Sequence, residues 1–208
     1  MTATKKKPPI IESVGAQYFA FATVSSSGDF DGTYDAEVIK IENVKSVSVT
    51  ENGAAAQPIY ASGVIYSNIS EFSTANIETE ALSQDEALQA KMRGDDIATN
   101  KLVQSGGKQN RPFFAYGKVV KFSDGTKRFD WYPKCQLSSN SDEAATKTDS
   151  FSEQTVTNSI LALPFDDKHV VNRLYDADIE TMTEELFFAQ PILTPKNLDD
   201  IIPAPEGA

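Results

Sequence analysis

A chain of 208 residues with a formal charge of −11 and a pI near 4.6 has room for one domain with a sizeable core. That acidity excludes wrapping of nucleic acid through clustered Lys and Arg, and with no run of about 18 apolar residues the sequence offers no spanning helix. Cys135 is the only cysteine, which excludes an intrachain disulfide and a cysteine-based zinc cluster.

The chain opens MTATKKKPPIIESVG. Pro8 and Pro9 interrupt the basic stretch and no apolar segment follows, which argues against a signal peptide and predicts a protein kept in a cytoplasm. Residues 1–15 read as a flexible arm, too polar to order themselves. Residues 17–24 predict a strand ended by the turn-rich SSSGDFDG, and 35–41 and 44–50 predict two more, the second alternating with period two. Glu51-Asn52-Gly53 reads as a turn and AAAQP as a loop.

Residues 57–62 and 64–72 carry the β-branched and aromatic content of strands. Residues 74–82 alternate more cleanly, with Ala75, Ile77, Thr79 and Ala81 on one side and Thr74, Asn76, Glu78 and Glu80 on the other. The acidic side reads either as the solvated face of an edge strand or as the wall of a water-filled channel. Ser83 followed by Glu86 predicts a capping box opening a helix over residues 83–93, with Gly94 as its left-handed stop and Lys91 and Arg93 at its negative end. Ala87, Leu88 and Met92 form a narrow apolar stripe on that helix. Residues 95–108 read as a loop with a broken helical turn around 98–103.

Residues 111–137 read as a hairpin, RPFFAYGKVVKF and RFDWYPKCQL joined by SDGTK, with Asp124-Gly125 supplying the turn. Lys118, Lys121, Lys127, Arg128 and Lys134 make it locally basic, a usual way to blunt a sheet edge. Residues 138–150 look polar and disordered, 151–163 predict a strand, and 170–175 a short strand or helical turn. Residues 181–189 predict a short helix capped by Thr181 or Thr183, burying Leu186, Phe187 and Phe188. Beyond Pro191 the prolines predict an extended arm.

Chemistry-bearing patterns are scarce. His169 is the only histidine, and with Asp166 and Asp167 it reads as a loop of solvated charges rather than a metal cluster. There is no Gly-x-Ser-x-Gly elbow, and Gly106-Gly107-Lys108 lacks the first glycine and the Ser or Thr of a phosphate loop. Paired carboxylates such as Glu78 with Glu80, or Glu184 with Glu185, are expected by chance among 30 acidic residues. Cys135 reads as an inert strand residue. The sequence therefore predicts no catalytic residue, no metal and no cofactor, and a protein that is not an enzyme.

The order of a β-rich first third, the segment VIYSNISEFSTANIETEALSQDEALQAKMRGDD, the aromatic hairpin and the strand DSFSEQTVTNSILAL resembles the major tail tube proteins of long, non-contractile phage tails, over residues 15–178. The resemblance implies a mainly β fold with some α, a sandwich or barrel of the tail-tube type flanked by a main helix, which the residues place at 83–93, and the residues add a short helix at 181–189. The arms at 1–15 and 191–208 match no pattern of that family; read from composition, they bound an expected domain at 16–190. The resemblance further implies a structural virion protein: hexameric rings stack into a tube, with tape-measure and other tail proteins as partners, and DNA passes through without specific binding. No membrane is involved, and the protein sits in the virion tail after assembly in the host cytoplasm. Glu78 and Glu80 are then the candidate lumen-facing acids, and Lys118, Lys121, Lys127, Arg128 and Trp131 the candidate subunit-interface hairpin. A second reading is a carbohydrate or host-surface binding module in which Tyr116, Trp131 and Tyr132 stack on sugars.

Overall fold

The computed structural model describes residues 7–23, 29–53, 57–61, 64–69, 72–106, 110–142, 154–166, 168–177 and 182–201. In chain order the strands are β1 (Ile11–Phe21), β2 (Ile39–Ile41), β3 (Val44–Gly53), β4 (Gln57–Ala61), β5 (Val64–Ile69) and β6 (Phe72–Ala81). Helix α1 (Glu86–Arg93) follows, then β7 (Asp96–Ile97), β8 (Val103–Gln104), β9 (Phe114–Phe122), β10 (Lys127–Asp142), β11 (Val156–Leu163) and β12 (Asn172–Ala177), and helices α2 (Glu184–Phe187) and α3 (Pro195–Ile201). The fold is mainly β with some α, as the sequence predicts; among the described residues it has three short helices, the third, α3, lying where an extended arm is expected.

An eight-stranded antiparallel sheet runs β2-β1-β9-β10-β11-β6-β3, with β12 also on β10. Strand β10, 16 residues long, belongs to two halves of this sheet. Its first part pairs with β9 and β12, and from Lys134 onward it pairs with β11. The register against β9 breaks between Tyr132 and Cys135. Pro133 sits in that break, where its missing N–H removes no ladder bond. The two halves enclose a core of Phe19, Phe21, Phe114, Tyr116, Ile77 and Ile160, to which α1 adds Leu88 and Met92.

From Ala16 onward β1, with β9 and the first part of β10, is largely buried on both faces because both are covered, the inner face also carrying polar Gln17, Lys118 and Asp130. The second face carries Tyr18, Ala115, Val119, Phe129 and Trp131, packed under Met182, Phe187, Phe188 and Ile192 of the C-terminal segment. Phe188 stacks on Tyr18 with centroids 4.0 Å apart and lies over Gly117, where a Cβ would come within 2.7 Å of its ring. Trp131 Nε1 donates to Phe187 O at 3.2 Å, satisfying the indole in the interior.

Several expectations change. The predicted N-terminal arm ends earlier, because β1 starts at Ile11, opposite Phe122, and the Ile10 N–H donates to Ser123 Oγ. The predicted C-terminal arm contributes buried Ile192 and then α3, whose Leu198 and Ile201 pack on the same cluster. The first six and last seven residues lie outside the described set. Residues 51–53 do not turn; β3 runs through them because β6 is long enough to pair Asn52 with Thr74 and Gly53 with Phe72. Of predicted strand 35–41 only Ile39–Ile41 pairs, with β1. Residues 98–103 form no helical turn but close the β7–β8 hairpin, with Lys101 at a φ of 67°. The polar stretch from Ser138 stays extended to Asp142 because β11 supplies a partner, and residues 143–150 lie outside the described set.

The helix start also differs. Asp85 is the N-cap, and its Oδ1 accepts from Ala87 N at 2.7 Å and Leu88 N at 3.2 Å. Ser83 instead accepts from Asn43 Nδ2, so the predicted capping box does not form; Glu86 pairs with Arg93 at 3.0 Å. Gly94 ends the helix as predicted, at a φ of 78°, its N–H on Ala90 O and Lys91 O. Replacing Asp85 by Ala is expected to cost about 1 kcal/mol in chemical denaturation, whereas Ser83→Ala leaves the helix cap intact. Gly117→Ala forces Phe188 off the sheet and is expected to cost about 1–3 kcal/mol by the same measurement.

Candidate functional site

The half-sheet β3-β6-β11-β10 has one face on the core and one open to solvent. On β6 the alternation is clean: Ala75, Ile77, Thr79 and Ala81 are buried, while Asn76 and Glu78 are exposed and Glu80 is partly so. Ser48 of β3 and Ser159 of β11 lie opposite Glu78, and Ser46 and Thr157 lie opposite Glu80. The solvent face is thus a ladder of hydroxyls around two carboxylates. Lys45 Nζ lies 3.2 Å from Glu80 Oε1, and Ser46 Oγ is 3.2 Å from Oε2. The Glu80 carboxyl is held below its usual range, chiefly by a hydrogen bond from Thr155 and then by Lys45. Strand β6 is not an edge, since β3 and β11 flank it.

The half-sheet's own edges are open among the described residues. Among the described residues no strand pairs with the outer edge of β3, nor with β10 beyond Cys135 on the side away from β11. Arg111 covers the start of the β10 edge, donating from Nη1 to Leu137 O at 2.6 Å and to Ser138 O. From Ser139 to Asp142 that edge is uncovered by any described strand.

Between the two half-sheets lies a charged centre. Asp130 is fully buried, with Arg173 Nε at 2.9 Å and Arg128 Nε at 3.2 Å from its Oδ1, and Lys118 Nζ 3.7 Å from its Oδ2. The Arg173 contact is a hydrogen bond; Arg128 Nε and Asp130 Oδ2 are buried with no hydrogen-bond partner despite their short ion-pair distances. Burial lowers the Lys118 pKa and the two guanidiniums lower it further, against the pull of Asp130. On the same inner face Gln17 pairs with Lys118 in register, and Tyr116 with Tyr132.

The five hairpin residues singled out in the sequence do not form one patch, because alternation divides them. Lys118 and Arg128 face inward to Asp130. Lys127 lies on the opposite face, 3.2 Å from Glu184, and Lys121 is exposed. Trp131 is fully buried against α2 and presents nothing to another subunit. Tyr116, Trp131 and Tyr132 are all core residues, so the sugar-stacking trio has no exposed ring to offer. Asp130 and Arg173 were not singled out in the sequence, although counting back from Asp124-Gly125 places Lys118 opposite Asp130.

His169 is exposed, its Nδ1 2.6 Å from Asp166 Oδ2, which holds the Asp166 carboxyl down at about 2. Asp167 lies outside the described residues, and among those described no group of three His, Cys, Asp or Glu is placed to hold a metal ion. Cys135 is buried, its Sγ on Tyr132 O at 3.3 Å, and burial pushes its thiol pKa up.

No family model and no curated protein matches this sequence. Among solved structures, a chain in the cryo-electron microscopy structure of the anti-feeding prophage baseplate, six-fold symmetrised, is similar over 83% of this chain and 100% of its own, at 9% identity and a TM-score of 0.42. A likeness that distant carries no argument about function.

Two outcomes follow from the buried polar groups. Asp130→Asn leaves three cations without their shared carboxylate and is expected to cost about 3–5 kcal/mol, whereas Lys118→Met is expected to be near neutral or stabilising; denaturant titration of both variants checks this. Burial raises the pKa of Tyr34, Tyr116 and Tyr132, the last to about 12, and burial with the Glu184 hydrogen bond raises that of Tyr18. A phenol of raised folded pKa gives stability that is complete below its unfolded value of 10.0 and is lost as pH climbs toward the folded value. In a spectrophotometric alkaline titration these four are expected to ionise only above that value, together with unfolding.

Proposed function

We propose that this protein is a structural subunit of a phage-type tail tube, six copies forming a ring and rings stacking into a conduit for DNA. The observation that carries the reading is the half-sheet β3-β6-β11-β10: a hydroxyl and carboxylate face between two open edges. Successive strands in it alternate in direction, so β3 and β10 run antiparallel. The β3 edge of one copy therefore meets the β10 edge of the next in the order that continues the sheet, and a closed ring removes both edges from solvent. The sequence resemblance to tail tube proteins supports the same assembly.

In such a ring the solvent face of the half-sheet forms the inner wall. Six copies at −11 each give −66 per ring, a field that repels phosphate and lets DNA slide without sticking. Glu78 and Glu80 supply carboxylates, and the surrounding Ser and Thr hydroxyls exchange hydrogen bonds with water rather than gripping a ligand. Lys121, exposed at the far end of β9, remains a candidate contact between subunits, while Lys127 pairs with Glu184 and Lys118 and Arg128 turn inward to Asp130.

Negative-stain electron microscopy of the concentrated protein tests the reading. Rings or filaments of uniform width are expected, and a reconstruction is expected to put Glu78 and Glu80 on the lumen wall. Uniform monomers at every concentration would overturn the assembly, and Glu78 and Glu80 on the outer surface would overturn the assignment of the inner wall.

A further inference from the structure

At the seam where β3 approaches β1, the two half-sheets leave a cleft of about 300 Å³, lined by Ile11 and Val14 of β1, Lys45 and Val47 of β3, Lys118 of β9 and Arg128 of β10. Its volume equals that of about ten waters at about 30 Å³ each, room for a tetrahedral or planar oxyanion with part of its hydration shell. The charge around it is unbalanced. Three cations, Lys118, Arg128 and Arg173, share the single carboxylate of Asp130. Lys118 and Arg128 both line the cleft, with side chains 8% and 23% exposed, and each is held at its inner end by Asp130, Lys118 Nζ at 3.7 Å and Arg128 Nε at 3.2 Å. Lys118 is the buried cation of the three, Arg128 is half-buried and Arg173 reaches solvent, and a shielded cation beside a shared carboxylate is stabilised by a further anion.

We propose that this cleft is an oxyanion-binding site, taking a carboxylate or phosphate between Lys118 and Arg128, with Lys45 at its rim. The bound anion ties β3 to β9 and β10 across the seam, where β3 and β1 make no ladder. Its donors suit either chemistry: a guanidinium N–H and an ammonium, charge-assisted and partly shielded from water. The shared ligand chemistry has two sources, a free anion or the side-chain carboxylate of a second copy of this strongly acidic chain. The proposal stands independently of ring formation, because a free anion would bind the monomer.

The test titrates inorganic phosphate, and separately acetate, into dilute protein while thermal unfolding is followed, with sodium chloride at matched ionic strength as the control. Binding to the folded state alone raises the midpoint in a saturable way. The expected result is a saturable rise with phosphate or acetate that chloride does not reproduce, weakened roughly tenfold or more in Arg128→Gln and in Lys118→Met. Circular dichroism of each variant verifies that it is folded, and Lys118→Met provides a second reading if Arg128→Gln fails to fold. A rise equal to that with chloride, no rise, or one unchanged in a folded variant would overturn the proposal. The source is read from assembly: if a neighbour's carboxylate fills the cleft, phosphate raises the protein concentration needed to assemble wild type but not Arg128→Gln. A free-anion site leaves that concentration unchanged. Failure to form rings with saturable phosphate binding intact would sink the tube reading alone.

Discussion

Everything in this fold hangs on β10 belonging to two half-sheets at once. A strand of this length stays straight only if one set of neighbours serves its whole length, and here the neighbours change at Pro133. The missing N–H of Pro133 and the register break beside it let the strand leave β9 and take up β11. That handover folds the sheet on itself and closes the core of Phe19, Phe114, Tyr116, Ile77 and Ile160. It also frees the later part of β10 from its first set of neighbours, which is why the second half-sheet has an open edge there.

The double-sided burial of β1 and β9 is a second consequence. Their inner face meets the other half-sheet and their outer face meets the C-terminal segment, where Phe187 and Phe188 cover Phe129 and Trp131 at ring separations of 5.2 to 5.5 Å. Aromatic surface buried at this density contributes more than its area alone because the rings meet in tilted and edge-on pairs. Residues 188–201 therefore pack into the domain through Phe188, Ile192, Leu198 and Ile201.

Polar groups trapped inside this arrangement define what is left for function. Alternation directs Lys118 and Arg128 inward to Asp130, and both residues also line the cleft at the seam between β1 and β3. On the opposite side of the second half-sheet, Glu78 is exposed and Glu80 pairs with Lys45, both among Ser and Thr hydroxyls. Lys118 and Arg128 thus lie on the inner face with Asp130, while Glu78 and Glu80 lie on the outer one.

The sequence by itself determined those features that rest on local chemistry. The alternation of β6 set which residues point to the core, Gly94 set the end of α1, Asp124-Gly125 set the turn of the hairpin, and Thr183 set the start of α2. Each of these depends on backbone geometry within a few residues, where side-chain type decides. Tertiary structure alone decided the rest. Asn52-Gly53 extends instead of turning because β6 offers a partner, Ile11 joins a strand because Phe122 does, and Asp85 displaces Ser83 as cap because Asn43 engages Ser83. The basic hairpin is legible as a run of charges. Its division into an inward pair, an exposed Lys121 and a Lys127 spent on Glu184 follows from which faces are covered. Burial is set by distant chain segments, and no local pattern encodes where those segments come to rest.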